Sequence, residues 1–406
     1  MNPLRLGLAL LLLASLAGCV NQSVKSTSVP AVVTAPANVP EDLLLDVGIV
    51  VFDPGIDELE EQADDEPRIY PEVRRAESLH IPNQLAASMQ DSGAWGAIRV
   101  LPNEDQITDL LITGQILRSD GETLEIAVKA IDSRGFVWLD ETYEGSASRY
   151  AYKVTSQSGH DPFQAVYNTA ANDLLEVLEQ LEHDDRRDVR LVTELLFARS
   201  FSPDAFDGYL AKNPKDKYLV MRLPAEDDPM LARVRTIRER DHLFVDTLQE
   251  YYVSFDEQMA GPYDEWRKLS YEEVVALEEL RAESRRQMLA GAVAVIGGIA
   301  AATTGDSSTT RAAGNIAVIG GGYLFKSGLL KRSEAQIHVE ALEELGTSLE
   351  AEIAPKVIEL EDRTVTLSGN VEEQYAQWRA LLAEIYAAEV GMLEPPAGNV
   401  TPTDTL

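Results

Sequence analysis

DLLITGQILRSDGETLEIAVKAIDSRGFVWLDETYEG, Asp109 to Gly145, holds three apolar-rich stretches separated by Asp120-Gly121 and Arg134-Gly135. A glycine after a short polar residue or a cation lets the backbone take the positive φ of a tight turn. The stretch therefore predicts three consecutive antiparallel strands joined by hairpins. Leu124, Ile126, Val128 and Ala130 fall on one face of the middle strand, and Glu125 and Lys129 on the other. That alternation predicts a sheet with one apolar face.

Upstream, LDVGIVVF (Leu45 to Phe52) places Leu45, Val47, Ile49 and Val51 on one face with more apolar residues between them, as in a strand covered on both sides. PEVRRAESLHIPNQLAASMQDSG spaces Val73, Leu79, Leu85 and Met89 roughly as a helix, which Pro82 is expected to bend or interrupt. AIRVLP reads as a second strand. Downstream, DPFQAVYNTAANDLLEVLEQL carries Phe163, Val166, Ala170, Leu174 and Leu178 at helical spacing, with Asp161-Pro162 as cap and first turn. Strand, helix, strand, meander, helix is the order of an α+β sandwich with its helices on one face, here over residues 44–182.

A strand ending in VVF, a helix closing on SGAWGAIRVLP, a strand DLLITGQI and a strand pair around AIDSRGFVWLDETYEG resemble the amino-terminal domain of TolB. They are also similar to the related domain of curli-export and flagellar-type outer-membrane lipoproteins. The resemblance covers about Leu43 to Leu181, a third of the chain. It implies a periplasmic assembly module and transfers no catalytic residue. The rest of the chain departs from those families, and it has no long alternating strands of the kind that build a transmembrane barrel.

The amino terminus carries a second resemblance. MNPLRLGLALLLLASLAGC places Arg5 before an apolar run, Leu6 to Leu13, too short to span a bilayer, followed by small residues. Leu16, Ala17, Gly18 and Cys19 resemble the lipobox of bacterial lipoproteins, which implies cleavage of residues 1–18 and a diacylglycerol on Cys19. Val20 follows, rather than the aspartate of inner-membrane retention, so the resemblance implies the outer membrane, facing the periplasm. Cys19 is the single cysteine, which leaves none for disulfides, so a large core must stabilise the 406-residue chain. Residues 19–43 read as lipidated cysteine plus tether. The net charge of −33 excludes nucleic acid as a partner and makes anionic headgroups poor ones.

Residues 183–287 read as charged and helical, with Val234, Ile237, Leu243, Leu248, Tyr252 and Phe255 on one amphipathic face. Residues 288–326 follow with two apolar runs, Met288 to Ala302 and Ala312 to Phe325, about a polar turn. As helices these runs reach only about 22 Å, short of a bilayer core of about 30 Å. Small residues recur every fourth position at Ala290, Ala294 and Gly298, then at Ala313, Ala317 and Gly321. That spacing lets helices approach closely. Three readings stay open: a self-packed helical hairpin, a glycine-zipper hairpin that associates with other copies or an envelope partner, and membrane insertion. Residues 327–392 read as a helix ending near Pro355, a short β-hairpin KVIELEDRTVTLSG, and a closing helix with Tyr375, Trp378, Leu381, Leu382 and Ile385 inward, before a tail at 393–406.

Catalytic signals are sparse. GGGYLFKS, Gly320 to Ser327, lacks the glycine before lysine that a phosphate loop needs. His80, His160, His183, His242 and His338 are scattered, with no metal-ligand spacing. His242 beside Asp241 has the composition of an oriented base but no nucleophile motif. The acidic stretch Asp57 to Glu66 lacks the ligand alternation of a calcium loop. The sequence thus points to a non-catalytic envelope lipoprotein that needs no metal or cofactor beyond its lipid. It would act as an assembly or interaction factor with protein partners and self-association. An export-apparatus subunit, and a periplasmic binding protein or hydrolase, are the alternatives.

Overall fold

The computed structural model of the chain describes residues 29–35, 39–56, 70–148, 150–152, 161–225, 227–301, 343, 356–359 and 364–391, with 277–301 described as helical backbone alone. β1 (Val47–Val50), α1 (Pro71–Asp91), β2 (Ile98–Leu101), β3 (Leu110–Ser119), β4 (Thr123–Asp132) and β5 (Val137–Ser146) come first. The five strands form one sheet in the order β2-β1-β3-β4-β5. β1 is parallel to both neighbours, and β3, β4 and β5 make an antiparallel meander. The chain is an α+β protein.

Turn chemistry fixes the meander. Asp120 Oδ1 accepts the N–H groups of Glu122 and Thr123 at 3.0 and 2.7 Å, and Gly121 takes φ +79°. At the other turn the buried Asp132 accepts from the Phe136 N–H, the Trp138 indole and the Arg134 guanidinium.

α1 runs as one helix across Pro82, so of the expected bend or interruption the interruption does not occur. Proline offers no N–H to the carbonyl one turn earlier. That carbonyl, on Ser78, accepts the N–H of Phe52 at 2.8 Å instead. The proline thus supplies an acceptor that ties the end of β1 to the helix lying over it.

α2 (Gln164–Gln180), α3 (His183–Phe201) and the single turn α4 (Pro203–Phe206) follow. A hairpin of β6 (Leu210–Lys212) and β7 (Tyr218–Val220) then interrupts the region expected to be helical throughout. Its cause is local: Asn213 Oδ1 accepts the N–H groups of Lys215 and Lys217, and Asp216 adopts φ 60°. The hairpin is held to the β4–β5 turn by the Tyr218 N–H, which donates to Arg134 O.

α5 (Pro229–Ala301) is a single helix of 73 residues that packs on α1, α3 and β2. Leu243, expected on its buried face, is 66% exposed. The buried stripe passes from Ile237 through Asp241 to Phe244, Val245 and Leu248, which turns position 243 outward. β8 (Lys356–Glu359) and β9 (Thr364–Leu367) pair as a hairpin, and α6 (Val371–Gly391) packs against α5. Asn370 and Glu373 exchange hydrogen bonds between side chain and backbone N–H at the start of α6, a capping box. Tyr375, Trp378, Leu381 and Leu382 are buried. One contiguous apolar cluster runs from β1 through α1, α2 and α3 to α5 and α6. Among the described residues no helix is long and apolar enough to cross a membrane.

The β3–β4 turn lies against α5, where a Cβ on Gly121 would come 2.4 Å from Arg267 O and 2.9 Å from Tyr271 N. Gly121→Ala is expected to cost about 2–3 kcal/mol, backbone strain plus displacement of α5. Gly93→Ala, at φ +64° with nothing within 4 Å, bears strain alone and should cost about 1 kcal/mol. Urea unfolding of the two variants measures the difference, and equal losses would show that the turn does not bear on α5.

Candidate functional site

Arg74, Glu77 and His80 follow one another at three-residue steps along α1, and all three are buried. A helix with water on one side would turn such residues outward. α1 has the sheet on one side, α2 beside it and α5 over it, so its polar side chains find partners in those elements. Arg74 donates to the carbonyls of Ile116 and Leu117 on β3, at 2.9 and 3.4 Å, and lies 3.9 Å from Glu77. Glu77 accepts from the Ser119 hydroxyl and, at 2.7 Å, from the Tyr263 hydroxyl on α5.

His80 lies between two carboxylates. Its Nδ1 is 2.6 Å from Asp256 of α5, and its Nε2 is 3.5 Å from Asp161. Asp161 Oδ2 also takes the guanidinium of Arg267 at 2.7 Å, and that guanidinium lies over the Tyr263 ring. Asp161, read from sequence as a helix cap, gives its other oxygen to the Phe163 N–H just ahead of α2. Burial alone would lower the imidazole pKa, but hydrogen bonds and charge from Asp161 and Asp256 overcome it and raise the pKa to about 9. Burial would raise the Asp161 carboxyl, yet the Arg267 and His80 cations hold it well below the usual carboxylate range.

Three cations (Arg74, His80, Arg267) face three carboxylates (Glu77, Asp161, Asp256), joining α1, β3, α5 and the start of α2. Both His80 nitrogens face carboxylates, which leaves neither to serve a nucleophile as base. In chemical terms the cluster is a lock between elements.

Asp241 does not orient His242. Its carboxylate faces α6, 3.5 Å from the Tyr375 hydroxyl and 3.3 Å from Arg379. His242 is half-buried near Arg238 and Arg99, and burial followed by those cations lowers its pKa to about 4. Among the described residues no group of three or more His, Cys, Asp or Glu side chains is placed to hold a metal ion.

Ala290, Ala294 and Gly298 belong to the final turns of α5. Leu16, Ala17, Gly18, Cys19, Ala313, Ala317, Gly321, the acidic stretch 57–66 and Gly320 to Ser327 lie outside the described residues. So do His160, His338 and the tail at 393–406.

Part of the segment read as a tether is bound to the folded body. Asn168 donates to Pro30 O at 2.8 Å and Asn172 to Ala31 O at 3.0 Å. The Val33 N–H donates to Asn172 Oδ1, and the Ala35 N–H to Ser92 O, both at 2.8 Å. The two asparagines, one helical turn apart on α2, were the available signal, because side-chain amides are suited to backbone partners.

Comparison with protein-family models, with curated proteins and with solved structures found no match.

The His80 contribution has a definite sign. A folded-state pKa of about 9 against 6.5 unfolded means that the stabilisation is fully present below pH 6.5 and is lost as pH rises through 9. The difference corresponds to a stabilisation on the order of 3 kcal/mol. Urea-unfolding free energies at pH 6 and pH 9.5 should fall by that order in the wild type, and His80→Gln should lack the fall. Parallel pH profiles in the two proteins would show that His80 is not held as a cation.

Proposed function

We propose that the protein is a non-catalytic lipoprotein of the outer membrane, anchored through Cys19 and facing the periplasm, that acts as an assembly or interaction factor. The anchor rests on the lipobox-like Leu16-Ala17-Gly18-Cys19 and on the absence of any other cysteine in the chain. The reading as an interaction factor is consistent with the buried cluster, whose charges hold elements together.

The observation that carries the assembly reading is the length of α5. Val274 is buried, and the helix continues for 27 residues to Ala301, a further distance of about 40 Å. That continuation carries the first apolar run with Ala290, Ala294 and Gly298 on one stripe. In the proposed arrangement the N-terminal sandwich is one module and the helical region a second. The run Ala312 to Phe325 returns as the other arm of a glycine-zipper hairpin, and Ala313, Ala317 and Gly321 let copies or envelope partners approach closely.

Two measurements test the proposal. Cys19→Ser should abolish incorporation of labelled palmitate and move the protein from the outer-membrane to the soluble periplasmic fraction; unchanged fractionation would overturn the anchor. Light scattering in mild detergent should give an oligomer for the processed wild type. A folded monomer is expected when Met288 to Phe325 is replaced by a Gly/Ser linker. Two monomers would remove self-association, and ring-shaped particles by electron microscopy would favour the export-subunit alternative.

A further inference from the structure

The two edges of the five-stranded sheet are finished differently. β2, four residues long, is closed by α5: Gln249 Oε1 accepts the Val100 N–H at 2.8 Å, and Gln249 Nε2 donates to Val100 O at 2.7 Å. One side-chain amide thus takes the place of a neighbouring strand. Arg99 of β2 is also paired, with Asp246 of α5 at 2.6 Å. β5, at the other edge, is ten residues long. Leu139 to Ser146 pair with β4 in unbroken register, and in an antiparallel ladder every second residue turns its N–H and C=O away from its neighbour. Among the described residues nothing hydrogen-bonds to those outward groups. An uncovered edge of that length is a template for another strand.

The side chains along the edge select what can pair there. Asp140, Glu141 and Glu144 are exposed. Asp140 has Lys129 at 3.7 Å, whereas Glu141 and Glu144 meet no cation among the described residues. Glu144 stands directly opposite Glu125 of β4, a like-charge pair that costs the sheet stability and that a cation laid beside it would relieve. On the helix side Tyr143 donates to Asp173 of α2 at 2.9 Å, which holds a further carboxylate beside the strand. Carboxylates therefore flank the edge on both faces of the sheet, and the exposed Val137 leaves an apolar position at its first end. Two copies of β5 set edge to edge would bring these carboxylates against one another, so the charge disfavours self-pairing and favours a cationic strand.

We propose that the outer edge of β5 takes an extended cationic segment of a partner protein as a sixth strand, antiparallel to β5. Its backbone continues the ladder, its Lys or Arg side chains lie beside Asp140, Glu141 and Glu144, and an apolar residue meets Val137. The proposal gives the interaction reading a partner chemistry but needs neither the lipid anchor nor the hairpin, so either can fail alone.

The test uses the full chain in non-ionic detergent at low ionic strength and the probe acetyl-Thr-Lys-Val-Thr-Lys-Arg-Val-Leu-amide, whose cations fall opposite the three carboxylates when it runs antiparallel to β5. Calorimetry is expected to give saturable binding with a dissociation constant of about 100 μM or tighter. Hydrogen–deuterium exchange over 137–146 should slow when the probe is present. Glu141→Gln and Glu144→Gln, both at exposed positions that leave the core intact, should each weaken binding by about 2- to 5-fold. Adding Asp140→Asn to the pair should bring the loss to about 10-fold or more. A probe of equal charge with Pro-Pro in place of its first Val-Thr, which cannot continue the ladder, should bind about 10-fold more weakly. No saturable binding overturns the proposal, as does a proline probe or a triple variant that binds as the parents do. Binding without slowed exchange over 137–146 would place the peptide elsewhere on the acidic surface and also overturns it. Protection of β5 that grows with protein concentration in the absence of probe would mark the edge as a contact between copies, against the proposal.

Discussion

Everything in this fold is arranged around the sealing of α1. Its charged side chains Arg74, Glu77 and His80 lie in the interior, where an ion taken out of water costs several kcal/mol unless it is paired. The partners come from three directions: β3 carbonyls for Arg74, Ser119 and Tyr263 for Glu77, and Asp161 and Asp256 for His80. None can move away alone without leaving a buried charge uncompensated. The sheet, the start of α2 and the middle of α5 are therefore fixed relative to one another by a single electrostatic condition. The surrounding apolar cluster supplies the bulk of the driving force, and the ions select which packing satisfies it.

The parts of the fold legible in the sequence are those whose cause is local. The meander is announced by Asp120-Gly121 and Arg134-Gly135 because the turn residues supply both the permissive φ and the side-chain acceptor within four positions. α6 is legible because one side of it meets α5 and the other meets water, which stamps a 3.6-residue period on its apolar residues. α1 shows only part of that period. A helix covered on several sides loses the contrast between faces, and its partners lie far along the chain, 176 residues away for the contact of His80 with Asp256. The candidate site was hidden for the same reason: in the sequence, Arg74, Glu77 and His80 look like an ordinary solvated face. Leu243 was misplaced because Asp241 occupies a seat on the buried stripe that an apolar residue would normally fill, its charge met by Arg379 of α6. The β6–β7 hairpin was missed because Asn213 and Asp216 carry a turn signal inside a stretch whose overall charge suggests helix.

Pro82 shows how one local defect acts at a distance. Removing an N–H from a buried helix leaves a carbonyl that must find another donor, and the Phe52 N–H meets that need. Phe52 and Ser78 both line a cavity of about 410 Å³ past the end of β1, so the hydrogen bond that satisfies the helix also joins two of the cavity's walls. Backbone satisfaction and cavity shape are one constraint here.

The docking of residues 30–35 along α2 changes the geometry of attachment. Asn168 and Asn172 hold Pro30, Ala31 and Val33, so the chain meets the folded body at α2, 17 residues ahead of the first strand at Val47. A pull on the chain ahead of Pro30 would therefore reach the body through its flank, at the side of α2, and not through β1. α2 packs on α1 and on the edge strand β5, so the load would pass to the helix layer and the sheet edge together.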